Sequence, residues 1–277
     1  MSYEYILYEK EGPIARIIMN RPEKHNPLGR PMMREIIKAL EEAGADREVK
    51  VVIIKGAGRS FSSGHDIPAI GMDIELGPEY KGKRPPAKLL IERDEWLKRE
   101  FYQFVFNFPK PTIAQVHGYC IYGGNNFQLC CDITIAAENA QFKPKGDTVV
   151  TIASYLPADT WATTLGPRHL GVKMDGKIAE RWGVVNRAVP LEKLEEEVEN
   201  LARAIALMPE DSLNLNKKCL NAMMDFDGLE PAWRTTHIAH AMGTHQRVRS
   251  DEFNVFKVRA EQGASAAIHA RQRKREL

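Results

Sequence analysis

Two glycine-bearing loops hold the residues best placed to do chemistry. In "FSSGHDI", Gly64 stands directly before His65; in "HGYCIYGGNNF", Gly123 and Gly124 open an apolar stretch. Glycine permits a tight turn and lets a ligand approach the main chain closely. A helix start leaves N–H groups without intrahelical acceptors and carries partial positive charge. Two such N–H groups converging on one oxygen form an oxyanion hole, suited to the enolate of a thioester. Taken singly, each loop is equally an ordinary turn before a helix. Other reactive side chains point elsewhere. The eight histidines show no H-E-x-x-H metal spacing. Cys120, Cys130, Cys131 and Cys219 form no C-x-x-C pair, which argues against a zinc site or a disulfide framework. Cys130 and Cys131 read as inert core residues, and Asp132 as a structural turn residue.

Positioning these loops requires alternating strands and helices. Residues 3–8 and 14–19 read as strands rich in Ile and aromatics, with a turn at Glu11-Gly12-Pro13. "RPEKHNP" reads as a loop. Met32, Met33, Ile36, Ile37 and Leu40 then recur at helical spacing. Residues 51–54 form a short unbroken apolar run, the mark of a strand covered on both faces. Residues 71–86, rich in Gly, Pro and charge, read as a long lid-like loop. A helix over about 88–108, a strand at 112–116, a loop through the second glycine pair, a helix at 125–131 and a strand at 133–136 follow. From Leu191 the pattern turns helical, with acidic residues early and Pro209 as a stop. The fold class is α/β with crossover connections, divided into a core over 1–199 and a helical region over 200–277.

Composition narrows the function classes. The 39 Lys+Arg less 37 Asp+Glu leave a net charge of +2, with 43% hydrophobic and 27% charged residues. That is ordinary globular usage, and the length is enough to bury about 75% of the unfolded surface. No apolar run approaches the roughly 18 residues of a membrane span. The charged, aromatic N-terminus lacks a signal-peptide core, and the terminal Arg-Glu-Leu is no organelle address, so a soluble cytoplasmic protein is expected. The one basic cluster, Arg271, Arg273, Lys274 and Arg275, reads as a solvated helix end. Without interleaved aromatics it does not argue for nucleic acid. No G-x-G-x-x-G follows a strand, which excludes a dinucleotide oxidoreductase.

In order, the segments "ARIIMNRPEKHNPL", "VVIIKGAGRSFSSGHDI", "KPTIAQVHGYCIYGGNNFQLCCDITIAAENAQF" and "AERWGVVNRAVP" resemble the crotonase family of enoyl-CoA hydratases and isomerases. The resemblance covers most of residues 1–200. It implies a spiral of ββα units, with a C-terminal helical region packing between subunits of a homotrimer or a hexamer. It implies an acyl-CoA substrate, with coenzyme A part of that substrate and no prosthetic group or metal. The thioester carbonyl would lie between the N–H groups of His65 and Gly123. On the same grounds His25 lies near the CoA phosphates, and Ser63, Asp66 and Ile67 flank the adenine and pantetheine path. Phe256 and Lys257 would supply a C-terminal contribution to the nucleotide pocket, with Arg259 competing.

The chain departs from that family at its acid–base positions. Hydratases of the family use two glutamates; here the first position is Asn126 and the second Gly146. Neither can move a proton as a carboxylate does. Asp147 stands one residue beyond the second position. Asp159 falls near the functional aspartate of the aryl-CoA dehalogenase, naphthoate-synthase and ring-opening hydrolase branches. Either could act as base or nucleophile, or be a loop residue and a helix N-cap respectively. Tyr122 replaces a family glycine, and Trp161 is an acyl-pocket or core aromatic. The chain is about ten residues shorter than the pattern after Gly171 and a little longer over 142–159. The expected function is therefore variant acyl-CoA chemistry: hydrolysis of a cyclic oxo-acyl-CoA, double-bond isomerisation or aryl-CoA substitution. The rival is a non-catalytic CoA-binding or RNA-binding relative.

Overall fold

The computed structural model describes residues 3–66, 86–143, 174–226 and 228–231, with Trp233 and isolated positions between 249 and 270. Its centre is a six-stranded sheet in the order β1-β2-β3-β4-β6-β8. The strands are β1 (Ile6–Glu11), β2 (Ile14–Met19), β3 (Val51–Gly56), β4 (Thr112–Val116), β6 (Ile133–Ala137) and β8 (Arg187–Val189). All neighbours pair in parallel except β1 with β2, a hairpin in register Ile6↔Met19 to Glu11↔Ile14. Parallel strands need helical crossovers, which cover both faces and demand apolar side chains on both. Accordingly Val51, Val52, Ile53 and Ile54 are all buried, as is every residue of β4. The edge strand β1 buries Ile6 and exposes its charged residues, which discourages further pairing.

Helices pack on this sheet through stripes set by their periodicity. In α1 (Arg30–Ala45), Met32, Met33, Ile36, Ala39, Leu40 and Ala43 face inward. Helix α2 begins as Ala87–Trp96, widens into a π-helical stretch at Leu97–Gln103 and ends at Phe104–Phe106. Helix α5 (Leu194–Ala206) buries Leu194, Val198, Ala202 and Ala206 at every fourth position. Its first-turn Glu195, Glu196 and Glu197 suit the positive end of the helix. Arg16 grips Glu199 of α5 through two bonds of 2.7 Å. The boundary expected at 199/200 thus falls inside a helix that belongs to the sheet's cover. Helix α6 (Glu210–Phe226) follows. Among the described residues no helix is long and apolar enough to cross a membrane.

A second ladder of short segments runs beside the main sheet. Leu28 bridges His65, Ser62 bridges Cys120, β5 (Tyr119–Ile121) pairs in parallel with β7 (Gln141–Lys143), and Phe142 bridges Met174. Each pass of the chain therefore adds a long strand to the sheet and then a short segment to the ladder. This is the expected ββα spiral. Residues 119–121, read from sequence as loop, are strand, because residues 141–143 and 62 supply their partners.

Candidate active site

The site lies where the parallel strands end, the usual place for ligands in open α/β sheets. Three returning segments meet there: residues 20–28 after β2, 56–66 after β3 and 117–123 after β4. Backbone bonds knit them. Leu28 N donates to Gly64 O (2.7 Å), Asp66 N to Leu28 O (2.9 Å), Ser62 N to Tyr119 O (2.8 Å) and Ile121 N to Ser62 O (3.1 Å).

Asn26 is the knot of the first segment. Fully buried, it accepts from Arg21 N (2.9 Å) and donates to Ala57 O (2.9 Å) and Ser60 O (2.8 Å), while its own carbonyl accepts from Ser62 Oγ (2.8 Å). It holds φ +52° and His25 φ +59°, a left-handed pair that only such bonding sustains in non-glycine residues. The structure gathers three of the residues expected along the CoA path. His25 Nδ1 lies 2.9 Å from Ser60 Oγ, with its ring edge-on to Tyr119 at 5.2 Å. Ser63 N donates to His25 O (2.8 Å) and its hydroxyl to Lys24 O (3.2 Å). Asp66, 8% exposed, accepts from an Arg21 guanidinium nitrogen at 2.6 Å, so its carboxylate braces the loop. Lys257 is exposed, and its polar partners are Asn254 and Glu261. Ile67, Asp147, Asp159, Trp161, Phe256 and Arg259 lie outside the described residues, as do residues 71–85, the length differences around 144–159 and the stretch just after Gly171.

Three glycines allow the second and third segments to touch. Gly64 has φ +93°, and a Cβ there would stand 2.7 Å from Ile121 O and 3.2 Å from Gly123 N. A Cβ on Gly124 would strike Ser62, and one on Gly123 would come within 2.4 Å of His65 Cδ2. The Gly64 main chain and the His65 ring therefore sit against the start of α3 (Gly123–Leu129), whose first residue is Gly123. Asn126 is half-buried in the first turn and gives its N–H to Tyr122 O (3.0 Å). Tyr122 itself sits at φ +51°.

One residue that sequence reasoning passed over completes the cluster. Tyr102, fully buried in the π-helical stretch of α2, lies with its hydroxyl 2.7 Å from His65 Nε2 and donates to Gly123 O at 3.2 Å. In sequence it is one more aromatic on an apolar helix face. Of the two cysteines read as core residues, Cys130 is buried and Cys131 is partly buried against the core, and burial pushes both thiols up. Asp132 is structural, accepting from Thr112 N (2.7 Å), Thr112 Oγ1 (2.8 Å) and Lys217 Nζ (2.7 Å). Among the described residues no three His, Cys, Asp or Glu side chains converge as a metal site.

The sequence model described as enoyl-CoA hydratase/isomerase matches residues 9–251. The chain is 31% identical over 240 residues to a putative enoyl-CoA hydratase of Thermus thermophilus, covering 84% of this chain and 89% of that one. It is 31% identical over 207 residues to the hydroxycinnamoyl-CoA hydratase-lyase of Pseudomonas fluorescens, covering 73% and 72%. Its fold matches the crystal structure of an enoyl-CoA hydratase from Mycobacterium smegmatis with a TM-score of 0.84, at 25% identity over 99% of this chain and 95% of that one.

Proposed function

We propose, from the premise that this chain belongs to the enoyl-CoA hydratase/isomerase family, that it processes an acyl-CoA thioester whose carbonyl oxygen is held by the N–H groups of His65 and Gly123. The observation that carries this reading is the close packing of Gly64 on Gly123, with a would-be Cβ 3.2 Å from the Gly123 nitrogen. Such contact brings the chain at Gly64, one residue before His65, next to the start of α3, which supports two main-chain donors meeting there. Charge that develops on the oxygen is then met by dipoles already in place, and removing one such donor costs about 10²–10³ in rate. CoA lies along the knitted loops past His25, Ser63, Asp66 and Ile67, with Phe256 and Lys257 adding a C-terminal contact. Coenzyme A enters only as part of the substrate.

The reaction itself follows from what the chain lacks. With Asn126 and Gly146 where hydratases carry glutamates, Asp159 or Asp147 supplies the carboxylate for hydrolysis of a cyclic oxo-acyl-CoA, double-bond migration or aryl-CoA substitution. A homotrimer or hexamer is supported by the apolar residues that α6 and its approach leave in solvent, Leu207, Leu215, Leu220, Met223 and Phe226, the last 91% exposed. The test is turnover of crotonyl-CoA and 4-hydroxycinnamoyl-CoA by the intact protein and by Asp147→Asn and Asp159→Asn. Loss in one aspartate variant with CoA binding retained supports the reading. Ordinary crotonyl-CoA hydration that survives both substitutions rejects the aspartates, and salt-sensitive RNA binding without thioester turnover rejects the enzyme.

A further inference from the structure

One buried phenol oxygen joins the two residues read as donors, and on the thioester reading just given it carries the site a step further. Backbone bonds between the second and third returning segments run from Ser62 N to Tyr119 O and from Ile121 N to Ser62 O. Among the described residues no backbone bond crosses from 63–66 to 122–124, so the two donors lie past the last rung of the ladder. The contact of Gly64 with Gly123 limits how closely they approach. It does not orient them, whereas a hydrogen bond is directional. Tyr102 Oη lies 2.7 Å from His65 Nε2 and donates to Gly123 O at 3.2 Å. That hydroxyl is not needed for packing. Phe101 and Phe127, equally buried, fill the same cluster by ring contact alone, with centroids 5.0 Å apart and Phe101 5.1 Å from Tyr102. A hydroxyl in such a core is costly unless it is bonded, so its presence is explained by the two groups it meets. Helix α2 gives it a fixed base. The π-helical form of Leu97–Gln103 is frequent at functional sites. The C-terminal segment pins that part of the helix: Lys98 Nζ donates to Trp233 O (2.9 Å), Gln103 Nε2 to Glu230 Oε2 (3.1 Å), and Phe106 meets the Trp233 ring edge-on at 5.1 Å.

We propose that Tyr102 is a positioning residue of the oxyanion site, its hydroxyl fixing how the His65 and Gly123 N–H groups face each other by tying the His65 side chain to the first turn of α3. Being fully buried, it acts through these two residues and not on the substrate. The Gly123 N–H belongs to the peptide that leaves Tyr122, whose φ of +51° is sparsely populated for a residue with a side chain. Such a conformation persists only where its surroundings over-determine it. The bond from Tyr102 to Gly123 O, one peptide further on, is such a constraint. Because the two donors meet charge that develops in the transition state, a change in their alignment is felt in kcat and not in KM.

The experiment is infrared difference spectroscopy of the isotope-labelled thioester carbonyl of butyryl-CoA and phenylacetyl-CoA. Each is bound to the intact protein, to Tyr102→Phe, to His65→Leu, to the double variant and to Lys217→Met. Two aimed N–H donors polarise the carbonyl, so binding to the intact protein should lower its stretching frequency. Tyr102→Phe, and His65→Leu, which keeps the main-chain N–H, should each return the stretch towards that of the free thioester. The double variant should go no further than the larger single change, because both break one link. On a thioester that the protein turns over, Tyr102→Phe should lower kcat by up to about 10² at unchanged KM. Lys217→Met, a change at the opposite ends of the strands, should leave the stretch in place. If Tyr102→Phe fails to fold, His65→Leu decides alone. A stretch unmoved in both single variants, shifts that add in the double variant, or an equal shift in Lys217→Met overturns the inference and leaves the thioester reading standing. No lowering in the intact protein with either thioester removes the thioester reading itself.

Discussion

The two ends of the parallel strands are built from different materials. Where the strands end, the main chain is shaped: among the described residues all three non-glycine positions with positive φ, His25, Asn26 and Tyr122, lie there, beside Gly64 at φ +93°. Where the strands begin, three lysines fasten helices. Lys50 donates to Ala206 O (3.0 Å) and Met208 O (3.2 Å) at the end of α5. Lys110 donates to Ala43 O (2.9 Å) at the end of α1, and burial lowers its pKa. Lys217 of α6 reaches Asp132 and Lys110 O (3.2 Å). Cations satisfy the terminal carbonyls of helices and oppose the negative end of the dipole. The first end thus encodes backbone geometry that side chains cannot replace; the second encodes attachment that many side chains serve.

That contrast sets the order of expected effects. Gly64→Ala acts where geometry is fixed. Turnover of the thioester that the protein accepts should fall about 10²–10³ as one oxyanion donor shifts, while the strained φ costs only about 1–3 kcal/mol in urea unfolding. A full-rate Gly64→Ala enzyme would erase the distinction. Lys217→Met acts at the other end. It should cost about 1.5–3 kcal/mol of stability through the lost charged bonds to Asp132 and Lys110 O, with kcat unchanged below the melting range. A changed kcat would show that the two ends communicate.

The smallest effect is a pH dependence. The Arg16 guanidinium hydrogen-bonded to Glu199 holds that carboxyl below its ordinary value of 4.5. The unfolded chain therefore takes up the proton first as pH falls, so the pair's stabilisation is present above 4.5 and is lost as pH drops through the lowered value. Glu199→Gln should flatten the acid limb of the stability curve and leave turnover at neutral pH alone.

The same division explains what could be read in the sequence. Strands β2 and β4 are legible at their full bounds because each is a short stretch rich in β-branched residues between turn residues. Helix α3 reads as starting at residue 125 on propensity, yet it starts at Gly123, because Ser62 and His65 leave no room for side chains at its first two positions. His25, Ser63 and Asp66 were named on resemblance and do gather. What Asp66 does there depends on Arg21, 45 positions away, and no local pattern carries that pairing. Tyr102 was illegible for the same reason: its hydroxyl has meaning only once α2 lies across the second and third returns.

Because successive passes of the spiral deliver residues 20–28, 56–66 and 117–123 to a single place, the cluster is whole only when all three are present. A nascent chain leaving the ribosome can pair β1 with β2 and join Leu28 to Gly64 early, but the contact of Gly64 with the start of α3 waits until Gly123 has been synthesised. The three-segment cluster is therefore completed only with its third pass, and a polypeptide arrested before residue 123 carries the sheet's beginnings without it.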